Sequence, residues 1–130
     1  MTYKEIMQRV NESALKRDIS FKQMSQDTGI SIKRLQLIFS GQGTRLYTLL
    51  DLIDSVGLEM ELDGKPMATH QDVLIYLEDR LYKSEMTPFK LSQKMDVKSG
   101  TTRNFFDGGN CRADTFFLIC EAMGVEVRVV

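Results

Sequence analysis

The sequence predicts a mainly α fold: two tandem helical bundles, each ending in a short β-strand, the two strands pairing antiparallel about a pseudo-twofold. Three observations carry this expectation. Shifting the chain by 67 residues lays Thr2–Asp63 over Thr69–Val130 without a gap, with ten identities in 62 pairs, among them Ser25/Ser92, Phe39/Phe106, Arg45/Arg112 and Gly57/Gly124. Apolar positions repeat at the same offset, as in Ile6/Val73, Leu49/Phe116 and Leu52/Ile119. Each repeat closes on an alternating run, Leu58-Glu59-Met60-Glu61-Leu62 and Val125-Glu126-Val127-Arg128-Val129, the period of a strand buried on one face. The domains are therefore residues 1–63 and 69–130, joined by a polar linker at 64–68 that carries Gly64 and Pro66.

Each element has a local cause. Thr2-x-x-Glu5 and Thr69-x-x-Asp72 are capping signals, so a first helix runs over Tyr3–Lys16 and again over His70–Lys83. Ser20 and Thr87 cap a short second helix, Phe21–Thr28 and Pro88–Met95, and Pro88 falls at the first helical position, where its missing N–H costs nothing. Gly29 ends that helix in the first repeat through the left-handed region; Asp96 takes its place in the second. A third helix follows at once, Ser31–Ser40 and Lys98–Asp107, closed by Gly41 and Gly108. A fourth spans Tyr47–Ser55 and Asp114–Ala122.

Composition narrows the function classes. With 130 residues, 42% hydrophobic content and net charge −1, the chain is globular and too small for a layered catalytic domain. No apolar run approaches the ~18–20 residues of a membrane span, and Met1–Glu5 has no basic-then-apolar signal pattern, so a cytoplasmic protein without a membrane partner is expected. Cys111 and Cys120 have only His70 as a third soft ligand, which gives no metal site; two reduced thiols are expected, Cys120 buried and Cys111 in a loop. No phosphate-cradling Gly loop, nucleophile–base pairing or carboxylate cluster points to an enzyme or a cofactor.

Two helices joined by a short turn, the second with a polar face, form the geometry that lays a recognition helix in the DNA major groove. Met24-Ser25-Gln26-Asp27-Thr28-Gly29-Ile30-Ser31, then Leu35, Ile38 and Gly41, then Thr48-Leu49-Leu50, resembles the helix-turn-helix domains of the Cro/C1 (XRE) repressor family. The second repeat, with Thr101-Thr102-Arg103-Asn104-Phe105-Phe106 and Thr115-Phe116-Phe117-Leu118-Ile119 leading into Val125-Glu126-Val127, is similar to HipB-like antitoxins, whose terminal strand pairs across a dimer. The resemblance implies that the exposed face of the third helix reads bases, while its start, the start of the second helix and the following loop hold phosphates.

With Leu35 and Ile38 facing inward, 100° per residue turns Lys33, Gln36, Leu37 and Ser40 outward, flanked by Ile32 and Arg34; the second repeat presents Ser99, Gly100, Thr101, Arg103, Asn104 and Asp107. Arg and Lys suit a guanine edge and Asn an adenine edge, which makes Lys33, Arg103 and Asn104 the base readers. Ser31, Arg34, Arg45, Lys98 and Arg112 are expected on phosphates, with Ser20 and Thr87 adding contacts at the second helix. Four residues depart from the family pattern. Phe21 and Pro88 stand where it often has a phosphate-binding Gln, Leu37 is apolar on the reading face, and Gly100 weakens the second recognition helix.

The expected function is sequence-specific binding of a double-stranded DNA operator by a covalent pseudo-dimer on an imperfect palindrome, acting as a repressor. The alternatives are a HipB-like antitoxin or a protein-binding module that inhibits a nucleic-acid enzyme, and the protein partners considered are a second copy in a homodimer or a partner toxin. Charge distribution fits the first reading despite the neutral total. Thr28–Leu50 holds Lys33, Arg34 and Arg45 and no acid, and Asp51, Asp54, Glu59, Glu61 and Asp63 follow immediately.

Overall fold

The computed structural model describes residues 1–130 as eight helices and one small antiparallel sheet. The first unit has α1 (Tyr3–Lys16), α2 (Phe21–Thr28), α3 (Ile32–Phe39), α4 (Leu46–Ser55) and β1 (Met60–Leu62). A strand β2 (Lys65–Met67) follows, then α5 (His70–Lys83), α6 (Pro88–Met95), α7 (Ser99–Phe106), α8 (Ala113–Ala122) and β3 (Val127–Val129). Every boundary of α1–α4 and β1 recurs 67 residues later in α5–α8 and β3.

The capping chemistry is as the spacing predicts. Thr2 and Thr69 accept from the N–H groups of Glu5 and Asp72, whose carboxylates reach back to the cap N–H groups, so both first helices start on a complete capping box. Ser20 and Thr87 each accept from a backbone N–H three residues on. Gly29 (φ 76°) and Asp96 (φ 57°) both turn the chain through the left-handed region before the third helix. The third helices are one residue shorter at each end than expected, because Ser31 and Lys98 are extended caps and not helical residues. The fourth helices start one residue earlier, at Leu46 and Ala113.

The two units are joined by pairings between equivalent residues. In the sheet β1 and β3 run antiparallel with Glu61 opposite Arg128, Met60 opposite Val129 and Leu62 opposite Val127. Glu61 and Arg128 are each other's counterparts at the 67-residue offset, so the strands cross on a local twofold. The same holds between the loops ahead of α4 and α8. Arg45 and Arg112, also counterparts, form an antiparallel bridge in which Leu46 N–H donates to the Cys111 carbonyl at 2.9 Å and Ala113 N–H to the Thr44 carbonyl at 2.8 Å. Helix packing follows that symmetry: α1 lies on α8, α5 on α4, and α4 and α8 on each other.

One sequence expectation is corrected here. Residues 64–68 are not a bare linker, since Lys65–Met67 pairs antiparallel with β1 and gives the sheet order β2-β1-β3. Asp63 (φ 52°) and Gly64 (φ 80°) make the two-residue turn, both in the left-handed region that such a hairpin requires. Pro66 is tolerated because β2 is an edge strand and Pro66 stands between the residues that bond to β1.

A single apolar cluster runs through both units, built from Ile6, Val10, Leu35, Ile38, Leu49 and Leu52 on one side and Val73, Leu77, Leu91, Phe105, Phe116 and Ile119 on the other. Met60, Leu62, Val127 and Val129 seal it from the sheet side. Cys111 lies in a loop, as expected, but both thiols are buried and unbridged; burial pushes Cys111 up to about 11 and Cys120 higher still, so both stay neutral. No helix is long and apolar enough to cross a membrane.

Candidate nucleic-acid interface

The outward face of α3 is set by the inward placement of Leu35 and Ile38, both buried. Ile32, Lys33, Arg34, Gln36 and Leu37 are all exposed, as the helical period requires, and Ser31 is exposed at the cap, its hydroxyl accepting from Arg34 N–H at 3.1 Å. Phe39 packs edge-on against Phe21 with ring centroids 5.3 Å apart and so belongs to the α2–α3 junction. Arg34 lies close enough to Tyr3 for its charge to act on the phenol, although burial dominates and holds the Tyr3 hydroxyl above its ordinary range.

On α7 the buried pair is Thr102 and Phe105, leaving Ser99, Gly100, Arg103 and Asn104 exposed, Thr101 half-buried and Lys98 exposed at the cap. The Ser92 and Thr102 hydroxyls bond each other, and Thr102 donates to the Pro88 carbonyl at 2.6 Å. This ties the start of α6 to α7. A concavity of about 250 Å³ opens between those starts, lined by Thr87, Pro88, Phe89, Ser99, Gly100 and Arg103. Gly100 leaves it open, because a Cβ there would meet nothing within 4 Å.

The side chains of Lys33, Arg34, Lys98, Arg103 and Asn104 form no ion pair and no hydrogen bond within the protein. Their donors are open to an anionic or polar partner. Asn104 is the exception in reach, since it lies along the loop after α7: Gly109 N–H donates to its carbonyl at 2.9 Å, and a Cβ on Gly109 would stand 2.9 Å from its Oδ1.

Arg45 and Arg112 are brought together on the twofold and are both exposed. Arg45 donates to the Asn110 carbonyl at 2.7 Å, so it leans on the second unit's loop. Arg112 leans the other way, within 3.1 Å of where a Gly43 Cβ would stand, while its Nε donates to Asp114 at 3.2 Å. Sequence reasoning missed the residue that organises this crossing. Asn110 also accepts from Tyr47 N–H at 3.0 Å through its side chain, and Tyr47 donates from its hydroxyl to the Gly108 carbonyl at 2.7 Å. The only local signal is a Gly-Gly-Asn run at 108–110, which reads as a turn and nothing more.

Asp107 is exposed at the end of α7 and Asp114 pairs with Arg112, while other acids lie on α4 and in the hairpin. Asp51 and Asp54 are exposed on α4, where partial burial and then the charge of Asp54 raise the Asp51 carboxyl above its usual range. Asp63 is in the hairpin. Burial alone would raise its carboxyl, but hydrogen bonds from the Tyr76 hydroxyl (2.5 Å), Glu126 N–H (2.8 Å) and Arg80 (2.6 Å) bring it below the ordinary range. No group of three or more His, Cys, Asp or Glu side chains is placed to hold a metal ion.

Compared with protein-family models, curated proteins and solved structures, the chain matches none.

Proposed function

We propose that the protein is a sequence-specific double-stranded DNA-binding regulator in which the two units act as a covalent pseudo-dimer. The observation that carries this reading is the internal twofold. Arg45 meets Arg112 and Glu61 meets Arg128, so two short helices with exposed polar faces, α3 and α7, are presented by one rigid frame in symmetry-related positions. Reading successive major grooves on one side of a duplex calls for two such helices about 34 Å apart, the separation this proposal requires of α3 and α7.

Residue roles follow from the chemistry of each face. Lys33, Arg103 and Asn104 supply donors for base edges. Arg34, Lys98 and the cap region at Ser31 serve phosphates, and Arg45 and Arg112 serve those near the axis. Because Lys33 corresponds to Gly100 and Leu37 to Asn104, the two helices cannot read the same sequence, and the operator is an imperfect palindrome. Occupancy of such a site beside a promoter excludes polymerase, which makes the protein a repressor.

A second reading, a protein-binding module that inhibits a nucleic-acid enzyme, is favoured by Ile32 and Leu37, each 43% exposed on the α3 face. One experiment separates the two. Selection of bound duplexes from a random library, followed by titration of salt against the selected sequence, gives under the first reading an enriched site whose affinity falls steeply with salt. Failure to enrich any duplex at low salt supports the second.

A further inference from the structure

One cleft has opposite chemistry in the two units. In the first it lies between α1 and the last turn of α3, with an open volume of about 400 Å³. Its apolar lining is Tyr3, Met7, Ile38 and Phe39. Its polar lining comes from Lys4, Gln8, Asn11 and Ser40, and positions 4, 8 and 11 share one face of α1. Two of the apolar residues are held in place: the Tyr3 hydroxyl donates to the Gln42 carbonyl at 3.2 Å, and Phe39 packs edge-on against Phe21. The side chains of Lys4, Gln8 and Asn11 make no hydrogen bond and no ion pair within the protein, so their donors are free.

The cleft is electropositive. Lys4 is its one charged lining residue. Arg34 adds to the field, since its charge reaches the Tyr3 phenol. The nearby acids of α1 are engaged elsewhere. Glu5 accepts from Thr2 N–H at 3.1 Å, and Glu12 lines a separate concavity with Arg9, Lys16 and Arg17.

At the 67-residue offset the same positions carry the reverse charge. Lys4, Asn11 and Ser40 become Gln71, Glu78 and Asp107, so one cation gives way to two acids. The apolar part changes as well: half-buried Met7 becomes the buried Leu74, and Ile38 becomes the larger Phe105. One backbone therefore accepts either lining, and the fold does not require the positive, open one. A merely solvated helix face needs no half-buried Met7 and Phe39 beneath it.

We propose that the cleft between α1 and α3 binds a small amphipathic monocarboxylate, with its apolar body on Met7, Ile38 and Phe39 and its carboxylate at Lys4, Gln8 and Asn11. One lysine matches one negative charge, and a doubly charged anion would leave part of its charge uncompensated against the apolar lining. The unbranched Met7 thioether adapts to an aryl or short alkyl group. This assignment stands whatever α3 itself contacts.

The test titrates the full chain with phenylbutyrate and follows methyl and side-chain amide NMR signals. Saturable shifts are expected at the Met7 and Ile38 methyls and the Gln8 and Asn11 amides, with none at Leu74. Lys4→Gln and Asn11→Glu both install the second unit's residue at exposed positions, and together they weaken binding about tenfold or more, the value of one charge-assisted contact, with the thermal unfolding midpoint unchanged. Phenylbutanol, the neutral analogue, binds several-fold more weakly than phenylbutyrate. Equal binding by phenylbutanol, equal binding by the double variant, or no saturable shift at the cleft overturns the proposal. Inorganic phosphate that shifts the same signals as strongly also overturns it, because the site is then a bare cation of the kind a nucleic-acid backbone meets. So do shifts at the cleft that follow protein concentration alone, since the occupant is then a second copy.

Discussion

The two units share one backbone and differ in how they hold their third helix. In the first, Leu35 is fully buried on α3 along with Ile38, Met24 and Leu49 are buried on α2 and α4, and the one aromatic pair at the α2–α3 junction is Phe21 with Phe39. In the second, the counterpart of Leu35 is Thr102, buried and bonded to Ser92 and the Pro88 carbonyl, and the neighbours are aromatic: Phe105, Phe116 and the adjoining Phe106 and Phe117. Element boundaries nevertheless coincide residue for residue. The repeated pattern of burial sets the fold, and the identity of the buried groups is free to vary as long as volume is filled and polar atoms are paired.

That comparison can be broken at its largest member. Phe116 is fully buried between Phe105 and Phe117, and Phe116→Ala is expected to cost about 3–5 kcal/mol in urea denaturation. Because the apolar cluster is continuous across the units, the loss should appear as a shift of one cooperative transition; a separate early transition for the second unit would show that the units unfold independently.

Thr102→Val sharpens the contrast between the junctions. It removes the Thr102 hydroxyl from Ser92 and from the Pro88 carbonyl, leaving Ser92 only its long 3.4 Å bond to the Ser99 carbonyl, and is expected to cost about 1–3 kcal/mol, whereas Ser92→Ala with Thr102→Leu, which places the first unit's leucine at position 102 and removes the weakened hydroxyl, should recover most of that loss. A double variant as unstable as the single one would mean that the aromatic neighbours cannot accept an apolar junction.

A smaller asymmetry lies in the hairpin. Asp63 accepts from Tyr76, Arg80 and Glu126 N–H, while its counterpart is Val130 and no equivalent network exists in the other unit. Asp63→Asn is expected to cost about 1–2 kcal/mol at neutral pH, a modest value because the ion pair is partly exposed to solvent. The folded carboxyl titrates below its unfolded value of about 3.9, so this contribution is complete above that pH and disappears as pH falls through the lower folded value. The gap between wild type and Asp63→Asn should therefore close when stability is measured at progressively lower pH.

The smallest expected effect concerns the counterparts Tyr3 and His70. The His70 ring lies tilted by 50° against Tyr47 with centroids 3.9 Å apart and its Nε2 buried and unpaired, and burial lowers its pKa. A depressed imidazole makes the folded state the weaker proton binder, so wild type should lose a little stability between pH 7 and pH 5 and His70→Phe should lose less, as read by thermal melts.

Much of this architecture was legible because its causes are local. The threonine capping boxes, Pro88 at a first helical turn and the left-handed Gly29 and Asp96 each act within a few residues, and the 67-residue offset lets one unit check the other. β2 was not legible, since Lys65-Pro66-Met67 has turn composition and becomes a strand only because β1 offers it an edge. The outward positions of Lys33, Arg34, Gln36 and Arg103 follow from helical phase. The Arg45–Arg112 bridge and the role of Asn110 depend on pairing between distant loops, which leaves no period in the sequence.

The central claim is that two unlike helices, related by an internal twofold, read two unlike half-sites. Selection of bound duplexes with the wild type, Lys33→Ala and Asn104→Ala tests it most directly. The account predicts an imperfect palindrome in which Lys33→Ala relaxes base preference in one half and Asn104→Ala in the other, each by about 1–3 kcal/mol of discrimination. Uniform losses across all sequences, or changes by both variants in the same half-site, would contradict it.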